Sequence, residues 1–162
     1  MPRGAKTAGV KAVVLYESMT GNTKRAAELI GGALVAAGDE VSVRPVTDID
    51  FHELAVADVA FIGTWVDGLV LFGQRPGRAG RLRKLPVLER KPVAVFCTYA
   101  VNAGKALNKT AELLAGKGAV IVGGHQFRRD RLERGVNEFV RDIRERVSSG
   151  ETAAQAASHT PD

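Results

Sequence analysis

Hydrophobic and polar positions along the chain switch repeatedly between a strand period and a helix period. Residues 11–16 hold an unbroken apolar run from Ala12 to Leu15, the pattern of a central parallel strand covered on both faces. Ala26, Ala27, Ile30, Ala33, Leu34 and Ala37 then recur at helical spacing, and Gly38 supplies a stop. Gly31 and Gly32 sit inside this helix, each lowering its propensity by about 1 kcal/mol relative to alanine, which is tolerable if a strand packs against them. Residues 41–46 alternate and contain Pro45, which predicts an edge strand. A helical turn at 51–55, a buried strand at 58–63 and another at 93–97 follow. A helix is expected at 104–115, with Leu107, Ala111 and Leu114 on one face and Gly116 closing it, and then a fifth strand at 119–122. Asp130 and Glu133 have the spacing of a capping box opening a last helix, whose stripe is Val136, Phe139, Val140, Ile143 and Val147.

Strands alternating with helices predict an α/β fold with right-handed crossovers. An edge-like second strand beside an apolar first strand fits a five-stranded parallel sheet of order 2-1-3-4-5 with helices on both faces, a three-layer sandwich. In such a sheet ligands bind beyond the carboxyl ends of the strands, where the winding reverses. Residues 1–9 read as a flexible arm and 148–162 as a disordered tail, leaving one domain over 10–147.

The turn that leaves the first strand reads Glu17-Ser18-Met19-Thr20-Gly21-Asn22-Thr23. A helix N-terminus carries unpartnered N–H groups and partial positive charge, so it holds an anion without a charged side chain. Ser18, Thr20 and Thr23 add hydroxyls, Asn22 an amide, and Gly21 a backbone that curls closely. Neither Gly-x-x-x-x-Gly-Lys-Ser/Thr nor Gly-x-Gly-x-x-Gly is present, which argues against a triphosphatase loop and a dinucleotide fold. A mononucleotide phosphate held by hydroxyls remains.

Ser18-Met19-Thr20-Gly21-Asn22-Thr23 after an apolar strand resembles the phosphate loop of the flavodoxin family, Ser/Thr-x-Thr-Gly-x-Thr, which cradles the 5′-phosphate of FMN. Two further segments belong at the same sheet edge. Gly63-Thr64-Trp65-Val66-Asp67-Gly68 carries the only tryptophan, and Thr98-Tyr99-Ala100-Val101-Asn102 carries one of two tyrosines. Two aromatics on converging loops suit a flat ring. The resemblance implies noncovalent FMN with its phosphate at Ser18, Met19, Thr20, Gly21, Asn22 and Thr23. It sets the isoalloxazine near Trp65 and Tyr99, among Thr64, Val66, Asp67, Gly68, Thr98 and Asn102. Asp67-Gly68 resembles the flexible peptide that accepts a hydrogen bond from reduced flavin N5, and the uninterrupted fifth strand resembles that of the short-chain members.

Composition sharpens this picture in three places. A chain of 162 residues, 45% hydrophobic, suffices for one domain and is short for two. No stretch has the length of a membrane span, and a lone cysteine, Cys97, excludes an internal disulfide, so a reducing cytoplasmic setting is expected. One cysteine and three scattered histidines give no metal-ligand spacing, and no side chain needs to be catalytic when the flavin does the chemistry. Cys97 reads as a small buried apolar residue, and His125, after a Gly-Gly pair, as a loop residue without an evident partner.

The net charge of +5 is concentrated in one segment. Between residues 73 and 91, Arg75, Arg78, Arg81, Arg83, Lys84, Arg90 and Lys91 face a single acid, Glu89, leaving about −1 for the rest of the chain. Electron carriers of this family are usually acidic, so the basic segment suggests an acidic partner. The reading is an FMN redox protein carrying electrons between a reductase and an acceptor, as a monomer or weak dimer. Alternatives are an FMN-dependent NAD(P)H:quinone-type reductase, or a flavodoxin-like domain binding an acidic protein or nucleic acid through residues 73–91. Few aromatics and no recognition motif in that segment disfavour nucleic acid.

Overall fold

In the computed structural model, described for residues 9–17, 21–67, 75–76, 82, 85–100 and 105–150, the apolar runs become five parallel strands. They are β1 (Lys11–Tyr16), β2 (Glu40–Pro45), β3 (Val59–Asp67), β4 (Pro92–Tyr99) and β5 (Val120–Arg128). The helices are α1 (Asn22–Ala36), α2 (Phe51–Val56), α3 (Ala106–Ala115) and α4 (Val136–Ser148). The strand order is β2-β1-β3-β4-β5 with every pairing parallel, as the alternation of periods predicts. Val66 and Asp67 also pair antiparallel with Pro76 and Arg75. The flexible arm and disordered tail expected at the termini fall almost wholly outside the described residues, as do Arg78, Arg81, Arg83 and Lys84.

Alternate side chains of each central strand enter opposite layers, which is why β1, β3 and β4 are apolar without a break. Val14, Phe61 and Phe96 pack with Ala26, Ile30, Phe139 and Ile143 of α1 and α4. Val13, Leu15, Ile62 and Val95 pack with Leu54 of α2 and Leu114 of α3. Phe139 meets Phe61 edge-on at 5.7 Å and Phe127 at 6.1 Å, joining β3, β5 and α4. β2 is the edge strand its proline predicts: Pro45 lies opposite Tyr16, and the strand is half-buried under α1.

Gly31 explains one of the two helix glycines. A Cβ there would stand 2.7 Å from Val43 Cγ2, so the missing side chain lets α1 close onto β2, whereas Gly32 faces open space. Asp39, in the turn between α1 and β2, accepts hydrogen bonds from the Val10 N–H at 2.9 Å and from Arg144 Nε at 2.6 Å. That carboxylate is fully buried, so it ties β1, the α1–β2 turn and α4 together.

Four boundaries differ from the sequence reading. β3 and β4 run on to Asp67 and Tyr99, so Thr64, Trp65, Thr98 and Tyr99 are strand residues with fixed directions. β5 continues to Arg128, which puts His125 inside the strand. Gly123 and Gly124 hide this in the sequence because they carry no side chain to show an alternation, yet they are needed: a Cβ on Gly123 would meet Ile143 Cδ1 at 2.6 Å. The capping box at Asp130 and Glu133 does not form. α4 starts at Val136 behind Gly135 (φ 86°) with no side-chain cap, because Asp130 pairs with Arg128 at 3.0 Å and Glu133 with Arg25 at 3.0 Å.

Gly63 gives the sharpest packing test. A Cβ there would lie 2.2 Å from Cε2 of Phe96, a ring buried in the centre of the sheet. Gly63→Ala is expected to lower unfolding stability by about 1–3 kcal/mol through overpacking. Gly32→Ala, where nothing lies within 4 Å, is expected to raise it by roughly 0.5–1 kcal/mol. Urea unfolding of both variants checks the pair.

Candidate functional site

The site begins where β1 gives way to α1. Gly21, the N-cap, has φ 93°, a left-handed conformation that glycine adopts without strain, and no side chain caps the helix. No acidic residue lies in the first turn of α1, whose positive end suits an anion. Thr23 is fully buried, and its Oγ1 lies 2.8 Å from Oγ1 of Thr98 on β4. That hydrogen bond joins the start of α1 to a strand two places away in the sheet.

Trp65 stands opposite Thr98 in the β3–β4 register. Residues opposed in this way point to the same face, which for Thr98 is the α1 face. Among the described residues, the indole Nε1 of Trp65 is buried with no hydrogen-bond partner. A buried donor left unpaired costs about 1–3 kcal/mol, which an acceptor arriving there would remove. Thr64, fully buried, and Cys97 oppose each other one residue earlier and face the other layer, where Cys97 packs against Ala106. Burial pushes the Cys97 thiol up to about 12, as suits a packing residue and not a nucleophile.

Tyr99, half-buried, ends β4 opposite Arg128 of β5. Ser18, Met19, Thr20, Gly68 and Asn102 lie outside the described residues, and of Val66 and Asp67 the strand pairing is described. The fold therefore brings Gly21, Asn22, Thr23, Trp65, Thr98 and Tyr99 to one end of the sheet, and turns Thr64 away from Thr98. Sequence reasoning missed Glu17. Its side chain is buried, and its N–H donates to the Gly63 carbonyl at 3.0 Å, fixing the exit of β1 against β3. A single charged residue before a hydroxyl-rich turn carries no period that would have marked it as buried.

His125 belongs to the neighbouring wall. Its ring stacks on Phe139 at 5.5 Å and meets Phe127 edge-on at 4.5 Å. Burial lowers its pKa below the ordinary 6.5, with Glu138 opposing in part. Among the described residues, no cluster of three or more His, Cys, Asp or Glu is placed to hold a metal ion. Among them too, no helix is long and apolar enough to cross a membrane.

Comparison with known proteins decides the family. A model described as "Flavodoxin domain" matches residues 13–160. The chain belongs to the flavodoxin domain family. A flavodoxin of Clostridium beijerinckii is 28% identical over 109 residues, 67% of this chain and 79% of that protein. Oxidised flavodoxin 2 of Bacillus cereus superposes with a TM-score of 0.65 at 25% identity, covering 84% of this chain and 99% of that one. The two-electron-reduced flavodoxin of Megasphaera elsdenii, at 20% identity and a TM-score of 0.66, covers 85% and 98% and shows the shared fold. This flavodoxin is accordingly an FMN-binding electron-transfer protein, and the comparisons favour neither the reductase nor the nucleic-acid reading. The residues present fit the cofactor: an uncapped helix end with no acid in its first turn suits a phosphate, and the orphaned indole N–H suits one of the ligand's oxygens.

Two outcomes follow from the buried groups. In the native flavodoxin Cys97 is expected to react with a thiol reagent at pH 8 only as fast as the fold opens, and fully once urea unfolds it; timed thiol titration measures this. Folded His125 binds its proton less readily than in the unfolded chain, so its contribution to stability is complete above pH 6.5 and is lost as pH falls below it. His125→Gln is expected to flatten the loss of stability between pH 7.5 and 5.5, read from urea midpoints.

Proposed function

We propose that this flavodoxin carries electrons between a reductase and an acidic acceptor protein, with its FMN phosphate in the turn of Ser18, Met19, Thr20, Gly21, Asn22 and Thr23. When bound, FMN supplies one- and two-electron transfer. The protein's own part is to hold, orient and shield. In this reading the N–H groups of the first turn of α1 and the hydroxyls of the loop hold the phosphate. Thr98 positions Thr23 through their shared hydrogen bond. Trp65 donates its indole N–H to an oxygen of the phosphate or ribityl chain, and Tyr99, with Val66, Asp67, Gly68 and Asn102, surrounds the ring, while Thr64, buried in the other layer, takes no part.

The unpartnered Nε1 of Trp65 is the observation that carries this reading. An oxygen of the cofactor there removes the cost of the orphaned donor. The acidic partner is supported by the net charge of +5, and a cytoplasmic location by the single, buried cysteine. Lys91, one residue of the basic segment, is occupied otherwise: its Nζ donates to the carbonyls of Ala55 and Ala57 at the end of α2.

Titration of stripped protein with FMN, followed by flavin fluorescence, tests the reading. Near-stoichiometric quenching is expected for the native chain. Trp65→Phe and Thr98→Val are each expected to weaken binding roughly ten- to hundredfold, the range of a lost hydrogen bond to a charged or buried group. A native chain that leaves micromolar FMN free overturns it.

A further inference from the structure

A second concavity opens beside Tyr99, between the end of β5 and the turn before α4. It encloses about 450 Å³ and is lined by Tyr99, His125, Arg128, Arg131, Arg134 and Glu138, among others. Three guanidiniums against one carboxylate give the lining a positive balance. Arg128 is paired with Asp130 at 3.0 Å, but among the described residues neither Arg131 nor Arg134 has an ion-pair partner. All three arginines are exposed, so their planar donor forks are open to a carboxylate from outside.

The turn that carries Arg131 and Arg134 is held in place. Glu133, between them, pairs with Arg25 of α1 at 3.0 Å. The Arg131 N–H donates to the Arg128 carbonyl at 2.9 Å, and the Arg134 N–H to the Arg131 carbonyl at 3.1 Å. Gly135 closes the turn at φ 86°, and a Cβ there would stand 2.9 Å from Nε2 of His125. Glycine thus lets the turn seat on the His125 ring, so the arginines are presented by an already folded backbone, which lowers the ordering cost of binding.

We propose that this pocket is the docking face for the acidic surface of the redox partner, with a partner carboxylate entering between Arg128, Arg131 and Arg134. The inference rests on the electron-carrier reading and gives its partner a place. Tyr99 is the link. It is expected beside the flavin ring on one side and lines the basic pocket on the other, so a protein bound there sits next to the route by which electrons leave. A protein occupant is favoured over a small anion because the guanidiniums are exposed at the mouth and not withdrawn into a closed site. Opposite charges at such a rim steer encounter and fix orientation.

An acidic plant-type 2Fe–2S ferredoxin serves as the probe. The full chain, FMN-loaded and labelled with nitrogen-15, is titrated with it at low and physiological salt. Amide shifts are expected at Tyr99 and across 126–135, weakening with salt. The double variant Arg131→Ala/Arg134→Ala is expected to bind about tenfold more weakly and Arg131→Glu/Arg134→Glu weaker still, with FMN affinity unchanged in both, as rim charges act on association alone. Shifts that map elsewhere, or variants that bind the ferredoxin like the native chain, overturn the proposal. So does citrate or inorganic phosphate occupying the same residues with micromolar affinity while the ferredoxin does not bind, which makes this a small-anion site. The same titration on the FMN-free chain separates the two readings: docking that persists while FMN fails to bind overturns the carrier and leaves the docking face standing.

Discussion

The parallel register of the three central strands is the constraint on which everything at the functional end depends. Tyr16 opposes Gly63, Gly63 opposes Phe96, and Trp65 opposes Thr98, so β1, β3 and β4 end at related heights. The register is specified because each of these strands is buried on both faces. A slip of one residue would drive Phe61 and Phe96 into the layer built for Ile62 and Val95. The same slip would carry Thr98 away from Thr23 and turn the Trp65 indole to the other side of the sheet. Core packing and the meeting of Thr23, Thr98 and Trp65 are therefore set by one arrangement.

α1 is fixed at both ends, and the two fixings differ in kind. At its C-terminal side, Asp39 has no exposed side-chain surface and is satisfied by Val10 N–H and by both Nε and Nη2 of Arg144. Loss of the arginine there would strand a buried charge, a class of change that costs about 3–5 kcal/mol. At its N-terminal side, the Arg25–Glu133 pair has side chains 62% and 66% exposed, and a pair so placed is worth little, about 0–1 kcal/mol. Its effect is positional. It sets the turn before α4 over the start of α1, and so relates the basic pocket to the phosphate cradle.

How much of this was legible in the sequence depended on whether a residue's role follows a period. The five strands, their order, the apolar stripes of α1 and α4 and the burial of Cys97 all follow from runs and spacings, and the structure reproduces them. The ends of β3, β4 and β5 were read short because threonine, glycine and histidine interrupt the apolar pattern just where the strands leave the core and enter the site. The false capping box shows the opposite failure. Local spacing favoured a cap at Asp130, while contacts to Arg128 and to Arg25, the latter more than a hundred residues away in sequence, claimed both carboxylates. The phosphate turn is proposed from its hydroxyls, of which Ser18 and Thr20 lie outside the described residues. The direction of Trp65 was not legible, since it depends on which residue of β4 lies opposite.

In the electron-carrier reading, charge is kept out of the phosphate turn and placed on exposed positions. The described residues proposed for the cradle offer backbone, hydroxyls and an indole N–H, and a buried acidic residue, Glu17, stands directly before them. Neutral donors and a helix end suffice for a phosphate in a partly dry site, because each hydrogen bond to the ion is strong where water is excluded. Arg128, Arg131 and Arg134 stand at and after the end of β5 on exposed positions, where solvent and salt screen them. Charge at such positions can therefore change without altering how neutral donors would hold a phosphate. Partner choice is thereby free to change while the sheet, its register and the cradle stay the same.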